Sequence, residues 1–129
     1  ARIEDGTEVP LVILMQRDRK PGPVPTLLRG YGAYGITETE PTYSAGATPF
    51  IELGGIVARC GTRGGGERGR SWHEAGRSAN KPNAHADLIA CAERLIELGL
   101  TSPAKLTVFG GSAGGQLAPP AAMKRPDLF

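Results

Sequence analysis

Long apolar segments are absent from this sequence of 129 residues, and neither sign of charge is in strong excess. No stretch is long and apolar enough to be expected to span a membrane. The formal net charge is +2 with both signs interspersed, which argues against nucleic acid as a partner. The first residues also lack the basic and then apolar pattern of a secretory signal.

Cysteine is scarce, with only Cys60 and Cys91 in the chain. Cys60 closes a predicted strand and Cys91 lies inside a predicted helix. A disulfide framework or a metal site would need more ligands at closer spacing. We therefore expect two free thiols, neither metal nor cofactor, and a cytoplasmic location.

Apolar runs alternate with helical stripes along the chain. Strands are predicted at four places, namely Glu8–Met15, Pro25–Arg29, Ile56–Cys60 and Lys105–Phe109. Helices are predicted at Tyr43–Leu53 and from Asn83 to about Leu98. This alternation predicts one α/β domain over residues 1–129, with a mostly parallel sheet and helices on both of its faces.

A glycine-rich turn follows the last predicted strand. Gly110, Ser112 and Gly114 form G-x-S-x-G, the strand-to-helix elbow of α/β-hydrolases. Neighbours without side chains let the strand and the outgoing helix pass closely, and the serine hydroxyl is then lifted clear of the sheet. The alternative is an ordinary glycine-rich turn in which Ser112 caps the next helix.

Ligands of a parallel sheet bind beyond the carboxyl ends of its strands. Three segments leave predicted strands at that edge, namely 30–35, 63–73 and the Ser112 elbow. The start of the 83–98 helix, with His85, returns to the same edge. We therefore expect the residues capable of chemistry to share one rim.

Several motifs together resemble those of one known family. They occur in the order Gly-Tyr-Gly-Ala-Tyr-Gly (30–35), Arg-Gly-Gly-Gly-Glu (63–67), Trp-His (72–73), Gly-Gly-Ser-Ala-Gly-Gly (110–115) and Arg-Pro-Asp-Leu-Phe (125–129). The chain is similar to the first half of the catalytic domain of prolyl oligopeptidases. The resemblance implies a partial α/β-hydrolase fold that lacks the C-terminal strands.

The resemblance also assigns roles to individual residues. Ser112 is the expected nucleophile, and the backbone N–H of Ala113 and the phenol of Tyr31 are the expected oxyanion donors. A tyrosine hydroxyl suits that role, since it is neutral at pH 7 and keeps its proton. Tyr34 is expected to line the substrate pocket, the alternative being a loop aromatic that closes the core.

The segment from Arg63 to Glu67 resembles the loop that flanks the active site in this family. Both residues are therefore candidates for substrate binding. The alternative is a loop held together by an arginine–glutamate ion pair.

The Asp and His of the family's triad follow the serine in the chain. The sequence extends 17 residues beyond Ser112, and neither triad partner is expected in that stretch, whose one acidic residue, Asp127, belongs to the Arg-Pro-Asp-Leu-Phe motif. His85 and His73 are the substitute bases that the rim offers. Their alternatives are a solvated histidine at a helix start and a packing partner of Trp72. Asp87 is not expected to orient His85, because positions i and i+2 of a helix point apart.

Two further features concern the end of the sequence. Pro119 and Pro120 predict a break or kink near Ala118, since proline in a helix interior removes a hydrogen bond. The 105–109 strand is expected to be an open apolar edge, and such edges normally pair. A homo-oligomer is therefore expected.

Two functions remain open on the sequence. The first is a serine hydrolase that transfers the acyl group of an ester or a post-proline peptide through Ser112, weakly and mainly on esters in this chain alone. The second is a catalytically inactive module that keeps the hydrolase shape for binding or assembly.

Overall fold

A single mixed sheet of four strands organises the structure, a computed structural model that describes residues 1–129. In chain order the strands are β1 (Leu11–Leu14), β2 (Thr26–Gly30), β3 (Ile56–Cys60) and β4 (Leu106–Phe109). Their order across the sheet is β1-β3-β2-β4. β2 runs parallel to both β3 and β4, whereas β1 pairs with β3 in the antiparallel direction. The predicted α/β class and mostly parallel sheet are therefore confirmed.

Four helices connect and cover the strands, namely α1 (Ala47–Glu52), α2 (Arg70–Glu74), α3 (Lys81–Glu97) and α4 (Ala118–Lys124). Short 3-10 turns precede α3, β4 and α4, at Ser78–Asn80, Pro103–Lys105 and Ser112–Gln116. None of the helices is both long and apolar enough to cross a membrane.

The main core lies between one face of the sheet and α3 with α4. Leu28 and Ala58 of the sheet pack there with Leu88 and Leu95 of α3 and Ala121 of α4, all fully buried. The opposite face is covered by α1 and the segment before it. Arg59, whose side chain alternates with those of Ala58 and Cys60, donates to the carbonyl of Glu40 at 2.6 Å.

Helix α3 begins at Lys81 rather than at the predicted Asn83. Pro82 is compatible with this earlier start, because a residue in the first turn of a helix donates no hydrogen bond within the helix. The Asn83 side chain donates instead to the carbonyl of Ala75 at 2.9 Å. Helix α1 is shorter than predicted and starts at Ala47, while Tyr43 lies outside it and is 83% exposed.

The predicted break near Ala118 is confirmed. The 3-10 turn ends at Gln116, and α4 starts afresh at Ala118 with proline in its first turn. Backbone N–H groups in the first turn of a helix have no acceptor within the helix. Pro119 and Pro120, which have no N–H, therefore remove no hydrogen bond at these positions.

The prediction of free thiols is wrong. Cys60 and Cys91 form a disulfide, although 31 residues separate them in sequence. The end of β3 packs on the middle of α3, and both sulfur-bearing residues are buried at this contact. The argument from free thiols to a cytoplasmic location loses its basis.

Candidate active site

The elbow after β4 presents Ser112 to solvent. Ser112 has a φ of +51°, a left-handed conformation that is costly for a residue with a side chain, and it is exposed. Its hydroxyl makes no hydrogen bond within the chain. The turn itself is held by a backbone hydrogen bond, in which the N–H of Gly114 donates to the carbonyl of Gly111 at 2.8 Å.

Two glycines make this turn sterically feasible. A Cβ at Gly110 would overlap the carbonyl of Gly114, and a Cβ at Gly114 would lie 2.7 Å from the carbonyl oxygen of Gly30. Gly111 and Gly115 lack any such close neighbour. The G-x-S-x-G spacing therefore corresponds to two close backbone approaches on either side of the serine.

Ser112 opens into a cleft of about 550 Å³. The three segments predicted to share a rim do meet here. The lining includes Gly32, Ala33 and Tyr34 of the first segment, His73 at the end of the second, and Ser112, Ala113 and Gln116 of the elbow. Lys81, Arg77 and Ser78 complete the polar part of the wall.

Backbone strain is concentrated at this cleft. Tyr34, Ser78 and Ser112 are the three residues other than glycine with positive φ, at +55°, +50° and +51°. All three line the cleft. Such residues persist only where the surrounding structure enforces them, and they cluster at functional sites.

The two expected oxyanion donors lie on either side of the contact between the elbow and β2. Ala113 lines the cleft directly after Ser112. Tyr31 follows Gly30 at the end of β2, and its Cα would lie 3.7 Å from a Cβ at Gly114. The Tyr31 hydroxyl makes no hydrogen bond within the chain, and Tyr31 is not among the residues that line the cleft.

Tyr34 is a mostly exposed residue of the cleft wall. Its side chain is 76% exposed, and its ring centroid lies 6.4 Å from that of Tyr31. The alternative in which Tyr34 closes the core does not fit this exposure. An exposed aromatic face beside Ser112 is instead available to an apolar part of a ligand.

His73 is the histidine that shares the cleft with Ser112. Its Nδ1 lies 2.7 Å from the carbonyl oxygen of Gly64. Because a carbonyl only accepts, Nδ1 is assigned the proton, and Nε2 of the neutral ring keeps a free lone pair. The Ser112 hydroxyl lies beyond hydrogen-bond distance of this ring.

His85 is engaged elsewhere. Its Nε2 lies 3.0 Å from the carbonyl oxygen of Gln116, and Lys124 approaches Nδ1 at 3.5 Å. Burial lowers the pKa of His85, and the positive charges of Lys124 and Lys81 act in the same direction. A neutral ring with both nitrogens occupied has no free lone pair for a reacting proton.

Arg63 points into the protein rather than into the cleft. Its guanidinium binds the fully buried Asp87 of α3 through Nη2 at 2.7 Å and Nε at 3.0 Å. Its backbone N–H donates to the same carboxylate at 2.7 Å, and Nη1 reaches Asp5 at 3.0 Å. The loop is thus held by an arginine–carboxylate pair, in which Asp87 takes the place expected for Glu67.

Glu67 is also turned inward. One carboxylate oxygen accepts the backbone N–H of Glu38 at 3.0 Å, and the other is buried without a partner. Burial raises the pKa of this carboxyl, against the hydrogen bond from Glu38. Both residues offered as substrate contacts therefore lie in the scaffold beneath the rim.

Two residues of this region are not assigned a role from the sequence, namely Asp87, which holds Arg63, and Lys81, which lines the cleft. The sequence predicts only that Asp87 points away from His85, and the two side chains do diverge, Asp87 toward Arg63 and His85 toward Gln116. A carboxylate among the apolar positions of a helix indicates a buried ion pair. The sequence does not show which cation pairs with it, and in the structure the partner is Arg63, 24 residues away.

The comparisons with known proteins decide the family. The sequence model of the prolyl oligopeptidase family matches residues 41–129, well over half of the chain. The chain belongs to the prolyl oligopeptidase family. Protease 2 of Moraxella lacunata is 38% identical to this family member over 96% of the chain, and the prolyl endopeptidase of Dictyostelium discoideum is 40% identical over 98%.

Solved structures of the family have the same fold. Oligopeptidase B from Trypanosoma brucei, with antipain bound covalently, superposes with a TM-score of 0.93 at 45% identity over the whole chain. A prolyl endopeptidase structure gives 0.94 at 40% identity over 98% of the chain. The chain spans 17–19% of the length of these four relatives.

Proposed function

We propose that this chain carries the nucleophile half of a serine hydrolase site, with acyl transfer through Ser112. The observation that supports this most directly is the strained, exposed serine between two close glycine contacts, at the wall of a cleft. Relatives of this chain are named as peptidases, and one was solved with antipain bound covalently. The substrate classes proposed for such a site are esters and post-proline peptides, of which this chain alone is expected to hydrolyse only esters.

The chemistry begins with attack of Ser112 Oγ on the carbonyl carbon. As the C–O bond forms, the carbonyl oxygen becomes an oxyanion that the Ala113 N–H and the Tyr31 hydroxyl stabilise. The serine proton passes to a base, which returns it to the departing alcohol or amine. Water then releases the acyl group by the same route in reverse.

His73 is the histidine best suited to serve as that base, since its Nε2 is free and faces no competing donor. It is not in contact with the serine, so proton removal is expected to be poor. Loss of the serine–histidine pair in a serine protease costs about 10⁶ in turnover, while the oxyanion hole and binding alone retain roughly 10³–10⁴ over water. Weak hydrolysis of activated esters is therefore expected, and amide cleavage is not.

The test is hydrolysis of a short-chain 4-nitrophenyl ester by the chain, with Ser112→Ala as the matched variant. The proposal expects a rate that falls to background in Ser112→Ala, and covalent labelling of Ser112 by a fluorophosphonate, located by mass spectrometry. His73→Ala should lower the rate and leave Ser112 in place. Equal rates for the chain and Ser112→Ala would contradict the proposal.

A second function follows from the lack of any partner for the Ser112 hydroxyl. A serine without a contacting base fits an inactive module that keeps the hydrolase shape for binding or assembly. Such a module would resist the fluorophosphonate while keeping its fold. We also propose that it self-associates through β4, whose outer edge is unpaired in this chain.

A further inference from the structure

Lys81 is a half-buried cation without an anionic partner. It is the first residue of α3, and its ammonium donates to the carbonyl of Gly32 at 2.7 Å. No carboxylate lies within ion-pair distance, and its other two N–H groups have no acceptor in the chain. Burial lowers the pKa of Lys81, and no negative charge offsets that effect.

The surroundings of Lys81 make this charge unusual. Lys81 lines the same cleft as Ser112, and the lining contains no Asp or Glu. The other long cation of the wall, Arg77, is compensated by Glu74 at 2.8 Å. The cleft that contains the proposed nucleophile therefore also holds one uncompensated ammonium, which favours an anionic ligand.

We propose that Lys81 anchors an anion subsite of the Ser112 cleft, which binds a carboxylate of the substrate. The carboxylate belongs to a peptide, either as its free C-terminus or as an acidic side chain next to the bond that is cleaved. Binding would supply the partner that Lys81 lacks and would place the substrate carbonyl beside Ser112. This inference rests on the proposed function, because it assumes that Ser112 reacts in this cleft.

The experiment compares two esters of equal acyl length, 4-nitrophenyl butyrate and mono-4-nitrophenyl succinate, which differ in a terminal carboxylate. Lys81→Met should lower kcat/KM for the succinyl ester about tenfold, the scale of one charge-assisted hydrogen bond, and should change it less than twofold for the butyryl ester. Lys81→Arg should keep the preference for the succinyl ester. Lys105→Met is the matched control, because Lys105 also donates to a backbone carbonyl, that of Pro23 at 2.9 Å, but does not line the cleft. It should leave the ratio of the two rates unchanged.

An equal loss for both esters would overturn the proposal, since it would mean that Lys81 only supports the backbone at Gly32. Unchanged rates for both would overturn it as well. A chain that hydrolyses neither ester would contradict the proposed function, and the subsite is then tested by binding alone.

The binding arm uses Ser112→Ala and follows the binding of three ligands by NMR, namely N-acetyl-Gly-Gly, its amide, and the α-amide of N-acetyl-aspartic acid, which keeps its side-chain carboxylate. Tighter binding of one or both carboxylates than of the neutral amide, lost in the Lys81→Met double variant, supports the subsite. The first ligand reports on a C-terminus and the third on an acidic side chain. Equal binding of all three overturns the inference independently of catalysis.

Discussion

Arg63 and Asp87 show how a loop beside the cleft is held from inside the protein. The fully buried carboxylate receives the guanidinium and the backbone N–H of Arg63, so one side chain fixes the start of the loop to α3. Taking two charges out of water is costly, and the pair is tolerated because its geometry is good. Removal of one partner leaves the other charged and buried.

Asp87→Asn is therefore expected to lower the free energy of unfolding by about 3–5 kcal/mol. Asp5→Asn is the matched control, because Asp5 also contacts Arg63 at 3.0 Å but lies at the surface. It should have little effect. Urea unfolding of the unchanged chain, Asp87→Asn and Asp5→Asn measures the two effects. Equal losses of stability would contradict the claim that burial of Asp87 makes its charge pair important.

The buried carboxyl of Glu67 should make the free energy of unfolding depend on pH. Burial raises its pKa in the folded chain above the ordinary value of 4.5, so the folded state binds the proton more tightly than the unfolded state. The contribution of Glu67 is thus most favourable at low pH and is lost as pH rises through the folded pKa. Glu67→Gln removes this titration.

The gain in stability from Glu67→Gln, relative to the unchanged chain, should therefore be larger at pH 7 than at pH 4. Urea unfolding at both pH values measures it. Glu4→Gln, at an exposed carboxylate, is the control and should show no such difference. A gain that is larger at pH 4 would show that the fold favours the charged form.

At the scale of the elements, the elbow depends on two of its four glycines. Gly110→Ala places a methyl group against the carbonyl of Gly114, and Gly111→Ala places one 3.7 Å from the ring of Phe109. The first should destabilise the chain by about 1–3 kcal/mol and abolish fluorophosphonate labelling. The second should change stability by less than about 0.5 kcal/mol.

Thermal unfolding and labelling of both variants check this difference. Tolerance of Gly110→Ala, with labelling retained, would mean that the turn can relax away from the close contact. The close approach of Gly110 to the carbonyl of Gly114 would then not be required for the shape of the elbow.

The strands and the elbow were predictable because they depend on local pattern. Apolar runs bounded by glycine and proline gave the four strands to within a few residues, and the double proline gave the break before Ala118. The rim was predictable from topology alone, because parallel strands deliver their loops to one edge. Element boundaries such as Lys81 were less accessible, since they depend on which residue caps the first turn.

The tertiary pairings were not predictable from one sequence. Cys60 with Cys91, and Arg63 with Asp87, each join the β3 end to α3 across more than twenty residues. Their proximity depends on how α3 lies across the sheet. The spacing of residues in the sequence does not determine how α3 lies across the sheet, so it does not predict these two pairs.

At the scale of the whole chain, β4 is an edge strand of the sheet and pairs only with β2. Thr107 and Phe109 are exposed, and Arg29 of the neighbouring strand lies over the Phe109 ring at 5.8 Å. An unpaired strand edge offers hydrogen-bonding groups to a second copy. This edge is the observation that supports the proposed self-association.

Thr107→Lys is expected to shift the chain toward the monomer, because a charge on an edge strand opposes edge-to-edge pairing. Analytical ultracentrifugation over a range of concentrations measures the shift. Met123→Lys, on the exposed face of α4, is the control and should not alter the mass distribution. A chain that is monomeric at every concentration would refute assembly through β4.

The left-handed backbone at Ser112 has a consequence for how this protein can change over generations. Glycine at that position would relieve a conformational penalty of about 1 kcal/mol. Substitution there would make the fold more robust while deleting the hydroxyl. A lineage that did not need the proposed reaction would therefore be drawn toward glycine, and keeping serine at this point gives up that robustness for the hydroxyl on which the proposed reaction depends.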